Sequence, residues 1–331
     1  MTVARDDRGR LPEAAHAAAA LEAAKMYYLS HLTMDAIARE LHTSRPTVSR
    51  LLRFARDSGL VEVRLRTLQE AAPELEQSLA ATYGVTAHIV SVPDTATDDE
   101  RRRSVAVSAS EVLNSCFDSD MVLGVDWGRT LSAVSRALNS KLTRNSLIVQ
   151  LNGAGNSHTT GLAYTNATMR RFGHAYGARV QEFPVPAFFD SAAAKEALWK
   201  ERGIRRIVDI QRRMDVVIFS VGVLRGGPPS LVYSAGYLED PDFEELETDG
   251  AIGDVGTVFF RRDGSYDGIR LNDRASGLPL ELLCLVPRRI CVVSGDYKAP
   301  GIRGALLAGA VTDLVMDQSV ARALLALDPQ S

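Results

Sequence analysis

The 331-residue sequence predicts an α/β protein in two parts: a winged helix-turn-helix domain, then a large Rossmann-like α/β domain on a mainly parallel sheet. Three observations carry this reading. Residues 33–60 read as two short amphipathic helices joined by a three-residue turn. After Gly84, short apolar β-rich runs alternate with longer helical stretches. The length leaves room for two cores at roughly 150 residues each. The expected parts are a flexible charged tail over 1–12, the helix-turn-helix domain over 13–66, a linker helix within 67–84 and the large domain over 85–331.

The elements follow in chain order. From Glu13 to Leu32 an alanine-rich helix carries Leu21, Ala24, Tyr28 and Leu32 near helical spacing, and supports the two helices after it. Thr33 is placed to cap the next helix, with Asp35 in its positive first turn and Ile37, Ala38 and Leu41 as its apolar stripe. After the turn His42-Thr43-Ser44, Ser44 caps a second helix. Its first turn tolerates Pro46, because the N–H that proline lacks has no intrahelical partner there. Val48, Leu51, Leu52 and Ala55 face inward. Ser44, Arg45, Pro46, Thr47, Ser49, Arg50 and Arg53 are left to the outer surface, with Arg56 further along.

Those outward side chains suit double-stranded DNA. Guanidinium groups donate two bonds to guanine, hydroxyls bond bases or phosphates, and a recognition helix presents its N-terminal residues to the major groove. Between Lys25 and Arg66, eight lysines and arginines stand against four acids, a net +4 on a chain whose formal charge is −3. Phosphate attraction by one module needs that imbalance, whereas general polyanion affinity would need a basic chain. The plain alternative is a solvated helical hairpin. Gly59 to Leu65 alternates with period two and reads as a short wing, with Arg64 and Arg66 near the phosphates.

The global numbers exclude several classes. A charged fraction of 24% with 46% hydrophobic residues fits a globular protein, and no apolar run is long enough to span a bilayer. With no signal-peptide pattern, the expected location is the cytoplasm. Cys116, Cys284 and Cys291 are an odd, widely spaced set, which favours reduced thiols. The six histidines show no metal-ligand spacing, so neither metal nor cofactor is expected.

In the large domain the alternation runs AHIVSV, helix 98–117, MVLGV, helix 129–138, SLIVQL, helix 160–176, ARVQEF, helix 191–213 and VVIFSV. It closes with RICVVSG before helix 299–309 and TDLVMD before helix 319–327. The stretch Pro73 to Tyr83 reads as a connecting helix that either dimerises the chain or packs on its own domain. Continuous apolar strands between helices imply a sheet covered on both faces, with ligands beyond the carboxyl ends of the strands.

The strand-to-helix turns are therefore the candidate ligand loops. GVDWGRT, from Gly124 to Thr130, offers Asp126, a glycine at 128, the cation of Arg129 and the hydroxyl of Thr130 at a helix start, a set suited to an anion such as a sugar phosphate. A tight turn with an exposed arginine is the alternative. The dinucleotide and nucleotide glycine spacings are both missing. LNGAGNSHTTG, from Leu151 to Gly161, brings Asn152, Gly153, Asn156, Ser157 and His158 for sugar hydroxyls, or else satisfies its own backbone. Lys298 in SGDYKAPG adds a second phosphate contact. Gly222 in GVLRGG completes the wall. Asp254 in GAIGDVGTVFFR lies in a glycine-lined bend, as an acceptor for ligand hydroxyls or as an Asx turn.

These residues together resemble the SorC family of sugar-responsive bacterial transcriptional regulators. The resemblance covers about residues 20–327 and is carried by SRPTVSRLL, GVDWGRTL, GAIGDVGTVFF, SGDYKAPGIRGAL and TDLVMDQSVARALL in family order. It implies a sensor domain similar to sugar-phosphate isomerases and deaminases, assembly as homo-oligomers, commonly tetramers, and phosphate contacts from Gly128-Arg129-Thr130 and Lys298. It also implies effector contacts around Asn152, Gly153 and Asp254. In some relatives a lysine matches Asn152 and can engage the sugar carbonyl. The amide here forms no Schiff base and carries no charge, which leaves room for an unphosphorylated sugar or polyol.

The function expected is a DNA-binding regulator, a repressor whose operator is released when a small carbohydrate binds the large domain. The competing reading is a sugar-phosphate isomerase or deaminase with an accessory DNA-binding domain, which would need an acid/base pair such as Asp254 with His158.

Overall fold

The computed structural model of the protein describes residues 13–30, 32–61, 72–159 and 162–327. The expected tail and the wing from residue 62 onward lie outside them. The chain divides into two compact units, residues 1–68 and 69–331.

The first unit contains α1 (Glu13–Tyr28), α2 (Met34–Glu40) and α3 (Arg45–Asp57). Both predicted caps form: Thr33 Oγ1 accepts from the Ala36 N–H at 3.2 Å and Ser44 Oγ from the Thr47 N–H at 3.4 Å. The turn between α2 and α3 is closed by His42 at φ 48°, with the Thr43 N–H bonding Ala38 O at 2.8 Å. Ile37, Ala38, Val48, Leu51, Leu52 and Ala55 are buried, as their spacing predicts. The inward face of α1 meets expectation at Ala24 and Tyr28, which join this core, and departs from it at the leucines. Ala20, Ala23 and Ala24 are buried, whereas Leu21 and Leu32 are exposed. Methyl-sized side chains let the α1 backbone approach α3 closely, so small residues rather than leucines make this contact.

The second unit is built on seven parallel strands: β1 (Thr86–Val90), β2 (Val122–Val125), β3 (Leu147–Gln150), β4 (Arg179–Gln181), β5 (Val216–Phe219), β9 (Arg288–Val293) and β10 (Asp313–Asp317), in the order β1-β10-β9-β5-β2-β3-β4. The numbering leaves room for β6 (Val221–Val223), β7 (Ala251–Val255) and β8 (Val258–Arg261), a separate antiparallel sheet ordered β6-β7-β8. All seven parallel strands fall on the apolar runs picked out in the sequence, with β1 and β9 each starting one residue earlier. The small sheet is not among them, because its strands are only three to five residues long.

One face of the main sheet packs Leu123, Val125, Ile148 and Val292 against α5 (Asp98–Cys116), α6 (Arg129–Ala137) and α7 (Leu162–Tyr176). The other face packs Val149, Phe219 and Val293 against helices Arg202–Gln211, Ala299–Leu307 and Gln318–Ala326. Helix α4 (Ala72–Tyr83) packs on β1 and the last helix, with Leu79 buried. The predicted helix 191–213 is two helices, Ala192–Trp199 and Arg202–Gln211. Glu201 is extended between them, and only the second helix buries an isoleucine stripe. Among the described residues no helix is long and apolar enough to cross a membrane.

The order of the strands places the site. From β2 the chain moves outward through β3 to β4. It then returns to β5 on the other side of β2 and leaves in the opposite direction through β9. Connections that diverge from neighbouring strands open a crevice at their carboxyl ends. Here that crevice begins at Asp126 and Ser220.

Candidate functional site

A cleft at this switch point is lined by residues from several separate loops of the second unit, among them Asp126, Gly128, Arg129, Thr130, Asn152, Gly222, Asp254 and Lys298. Eight of the ten residues predicted for effector binding therefore meet, although they span 172 positions between Asp126 and Lys298. Gly124 and Gly153 do not line it. Gly124 lies within β2, where any Cβ would overlap the Met214 sulfur, so its smallness serves sheet packing. Gly153 is held behind the wall: its carbonyl accepts from Trp127 Nε1 at 2.9 Å and its N–H donates to Ser276 Oγ at 2.9 Å.

Asp126 follows β2 and is buried. Its Oδ1 accepts from the Trp127 N–H at 2.7 Å. Burial, and then the charge of Asp254, push its carboxyl up to about 8, against bonds from the Trp127 and Ser220 backbones and the Asn152 side chain. Gly128 precedes α6 with φ 147°, and Thr130 is buried in the first turn of that helix. The Arg129 guanidinium reaches back to Pro229 O at 2.8 Å.

The bend predicted around Asp254 is a β-hairpin. Its two turn residues, Gly256 at φ 52° and Thr257 at φ 71°, are both left-handed, as a primed two-residue turn requires. For a β-branched residue this conformation is strained. The Thr257 N–H donates to Asp254 Oδ2 at 3.1 Å, and the Tyr233 hydroxyl donates to Oδ1 at 2.9 Å. Gly222 pairs with Asp254 across β6 and β7, and a Cβ there would overlap the carboxylate. Burial raises the Asp254 carboxyl to about 6, opposed by the Tyr233 bond, the Thr257 bond and the charge of Lys298.

Lys298 is no surface lysine. It is buried at 8% exposure, donates to Val221 O at 3.0 Å, and is lowered to about 8 by desolvation. The cleft thus sets two buried carboxyls against one buried ammonium, with Arg129 and Arg102 at its lip. Sequence reasoning missed Arg102, Ser220, Ser230, Thr257 and Tyr297, which also line the cleft. Thr257 and Tyr297 lie within the loops GAIGDVGTVFFR and SGDYKAPG, and Ser220 carries a signal of its own, its position at the carboxyl end of an apolar strand. Its Oγ is buried and has no hydrogen-bond partner.

The described part of the predicted loop, residues 151–159, bonds both itself and its neighbours. Asn156 Oδ1 accepts from the His158 and Thr159 N–H groups, and Asn156 Nδ2 donates to Ala235 O. His158 lines a different hollow from Asp254, so the acid/base pair required by the isomerase reading is not assembled. Among the described residues no group of three or more His, Cys, Asp or Glu is placed to hold a metal.

In the first unit Arg45, Pro46, Ser49, Arg50, Arg53 and Arg56 are exposed on α3. Ser44 also serves as its cap. Thr47 is half-buried and accepts from Arg50 Nη2 at 3.3 Å, while Arg45 lies 4.0 Å from Asp35.

A helix-turn-helix followed by an α/β domain with a polar switch-point cleft defines the class of small-molecule-sensing DNA regulators. Comparison with known proteins narrows the class. The Sugar-bind model, which describes a sugar-binding domain, matches residues 69–326. The deoxyribonucleoside regulator of Bacillus subtilis strain 168 is 33% identical over 92% of this chain and 96% of its own. A domain of a possible sugar-binding transcriptional regulator from Arthrobacter aurescens TC1 is 50% identical, with a TM-score of 0.74 over 78% of this chain and 100% of that one. The full-length sorbitol operon regulator SorC of Klebsiella pneumoniae, 20% identical, shares the fold with a TM-score of 0.69 over 93% of this chain and 99% of its own. The chain belongs to the SorC family of sugar-binding transcriptional regulators.

Proposed function

We propose that the switch-point cleft binds a small sugar, polyol or sugar phosphate, and that its occupancy controls operator binding by α3. One observation carries the reading: buried Asp126, Asn152, Asp254 and Lys298 converge with the partnerless Ser220 hydroxyl at one crevice. Carbohydrate hydroxyls both donate and accept, which fits a wall of carboxyl, amide and hydroxyl groups. An anionic end suits Gly128, Arg129 and Thr130 at the start of α6, where helix N–H groups and the guanidinium add positive potential. The name of the Bacillus relative points to effectors of the pentose class.

On the DNA side, Arg45, Ser49 and Arg50 lie on the first turns of α3 and read base edges, with Arg53 on phosphate. The chain acts as a cytoplasmic homo-oligomer, a dimer or tetramer, on a palindromic operator. It is a repressor released by its effector, and a sensor without turnover, since Asp254 is committed to Tyr233 and Thr257. Tenfold release requires the effector to favour the DNA-incompetent arrangement by about 1.4 kcal/mol.

The test is a thermal-shift screen of sugars, polyols and their phosphates, followed by operator titration with each hit. Stabilisation by one chemical class, with release of operator by the same compounds, is the expected result. Operator affinity indifferent to every stabilising compound would reject the coupling, and a screen without any shift would reject the cleft.

A further inference from the structure

The lip of the cleft continues into a second hollow of about 290 Å³, which shares Arg102 and Arg129 with it and adds Arg103, Ser132 and Arg136. The hollow lies where α5 and α6 pack side by side, with the first turns of both helices at the carboxyl edge of the sheet. Four guanidiniums meet there. The one carboxylate in the lining is Asp99, which is paired with Arg102. The neighbouring acid Glu100 is turned away into the helix cap, where it accepts from the Thr97 N–H at 2.9 Å and the Thr97 hydroxyl at 2.8 Å.

Like charges so gathered repel, and partial burial makes the repulsion harder to screen. Burial, then the charge of Arg129, lowers the Arg102 guanidinium below its usual range, so the two are within electrostatic reach of each other. Arg103, Arg129 and Arg136 are exposed at the mouth. Planar forks around a hollow beside the N-terminal turns of α5 and along α6 form a receptor for phosphate oxygens.

We propose that this hollow is a second anion subsite, and that the effector carries two phosphate-type groups, one at Thr130 and Lys298 within the cleft and one held by Arg102, Arg103 and Arg136 outside it. The proposal rests on the reading of the cleft given above and goes beyond it by naming the effector as doubly anionic. Arg129 stands between the two subsites and serves both.

The experiment compares calorimetric affinities for ribose 5-phosphate and ribose 1,5-bisphosphate, and for the matched fructose pair, with the full-length protein and its R103E/R136E variant. For at least one sugar the bisphosphate should bind at least about tenfold tighter than its monophosphate. In the variant that advantage should fall below about threefold while monophosphate affinity holds, since neither substituted residue lines the cleft. Equal affinities for mono- and bisphosphates overturn the second subsite and leave the cleft standing. Binding of neither, with binding of unphosphorylated sugars, overturns it too and revises the effector class. Sedimentation of the variant completes the test: a changed oligomeric state with the bisphosphate advantage intact would make the arginines a subunit contact and overturn the proposal.

Discussion

The helix proposed to read DNA and the cleft proposed to sense a carbohydrate both present charged side chains, but in opposite surroundings. On α3, Arg45, Arg50 and Arg53 stand in water, with one long ion pair and one hydroxyl contact between them. In the cleft, Asp126, Asp254 and Lys298 are buried and each is displaced from its ordinary ionisation range. Exposed charges are cheap to hold and act by attracting a polyanion over distance, with strong dependence on salt. Buried charges cost the fold stability, and a ligand that supplies the missing partners recovers part of that cost. Under the proposed function, binding energy is concentrated where it can bias a conformation, and spread where it only needs to find DNA.

The sharpest way to separate the two regions is Thr130→Glu. A carboxylate facing the anion site should weaken effector response on the order of 100-fold or more, with operator affinity and folding retained. Effector titration of the operator complex, with circular dichroism as control, checks it, and an unaltered response would remove Thr130 from the site. Next in size is Gly222→Ala, whose methyl group would overlap the Asp254 carboxylate. A loss of about 1–3 kcal/mol in stability of the second unit is expected in denaturant titration.

For the reader, Arg50→Ala should cost about 1–3 kcal/mol of specific operator affinity at matched salt if its contact is bidentate to a base. Equal losses on operator and random DNA would make it a phosphate contact instead. A last measurement tests the buried charge itself. Burial holds the Asp126 carboxyl at about 8 in the folded chain, well above the ordinary carboxylate range of about 4, so it takes up a proton on folding. Its contribution to stability is fully present below about pH 4 and is lost as pH rises toward 8, with a slope of at most about 1.4 kcal/mol per pH unit. Asp126→Asn should therefore flatten stability between pH 5 and 8. Parallel curves for both proteins would show that the carboxyl stays ionised throughout.

Legibility followed the range of the interactions. The caps at Thr33 and Ser44, the buried stripe of α3 and the apolar strands depend on neighbours a few residues away, and each could be read from the letters. The inward face of α1 could be read this way only in part. Its alanines match helical spacing no better than its leucines, and only the approach of α3 selects them. In the cleft, the glycine-rich turns marked where to look, but not what Asp254 would touch. Thr257 became its partner through a hairpin whose short strands gave little periodic signal, and Tyr233 reaches it from the separate short helix Leu231–Ser234. Arg102 was hidden for the same reason: within DDERRR it looks like one charge among several on a solvated helix.

The order of letters by itself determined the class of fold, the reading helix with its caps and outward arginines, and the set of loops that end parallel strands. Tertiary structure decided which of those loops meet, which carboxyls lose water, and that Lys298 is enclosed while Gly124 and Gly153 serve packing. The physical reason is that backbone propensity and hydrophobic period are set within a few residues. Desolvation and charge pairing depend on distances across the sheet, fixed only when the chain crosses from β2 to β5 and opens the crevice between them.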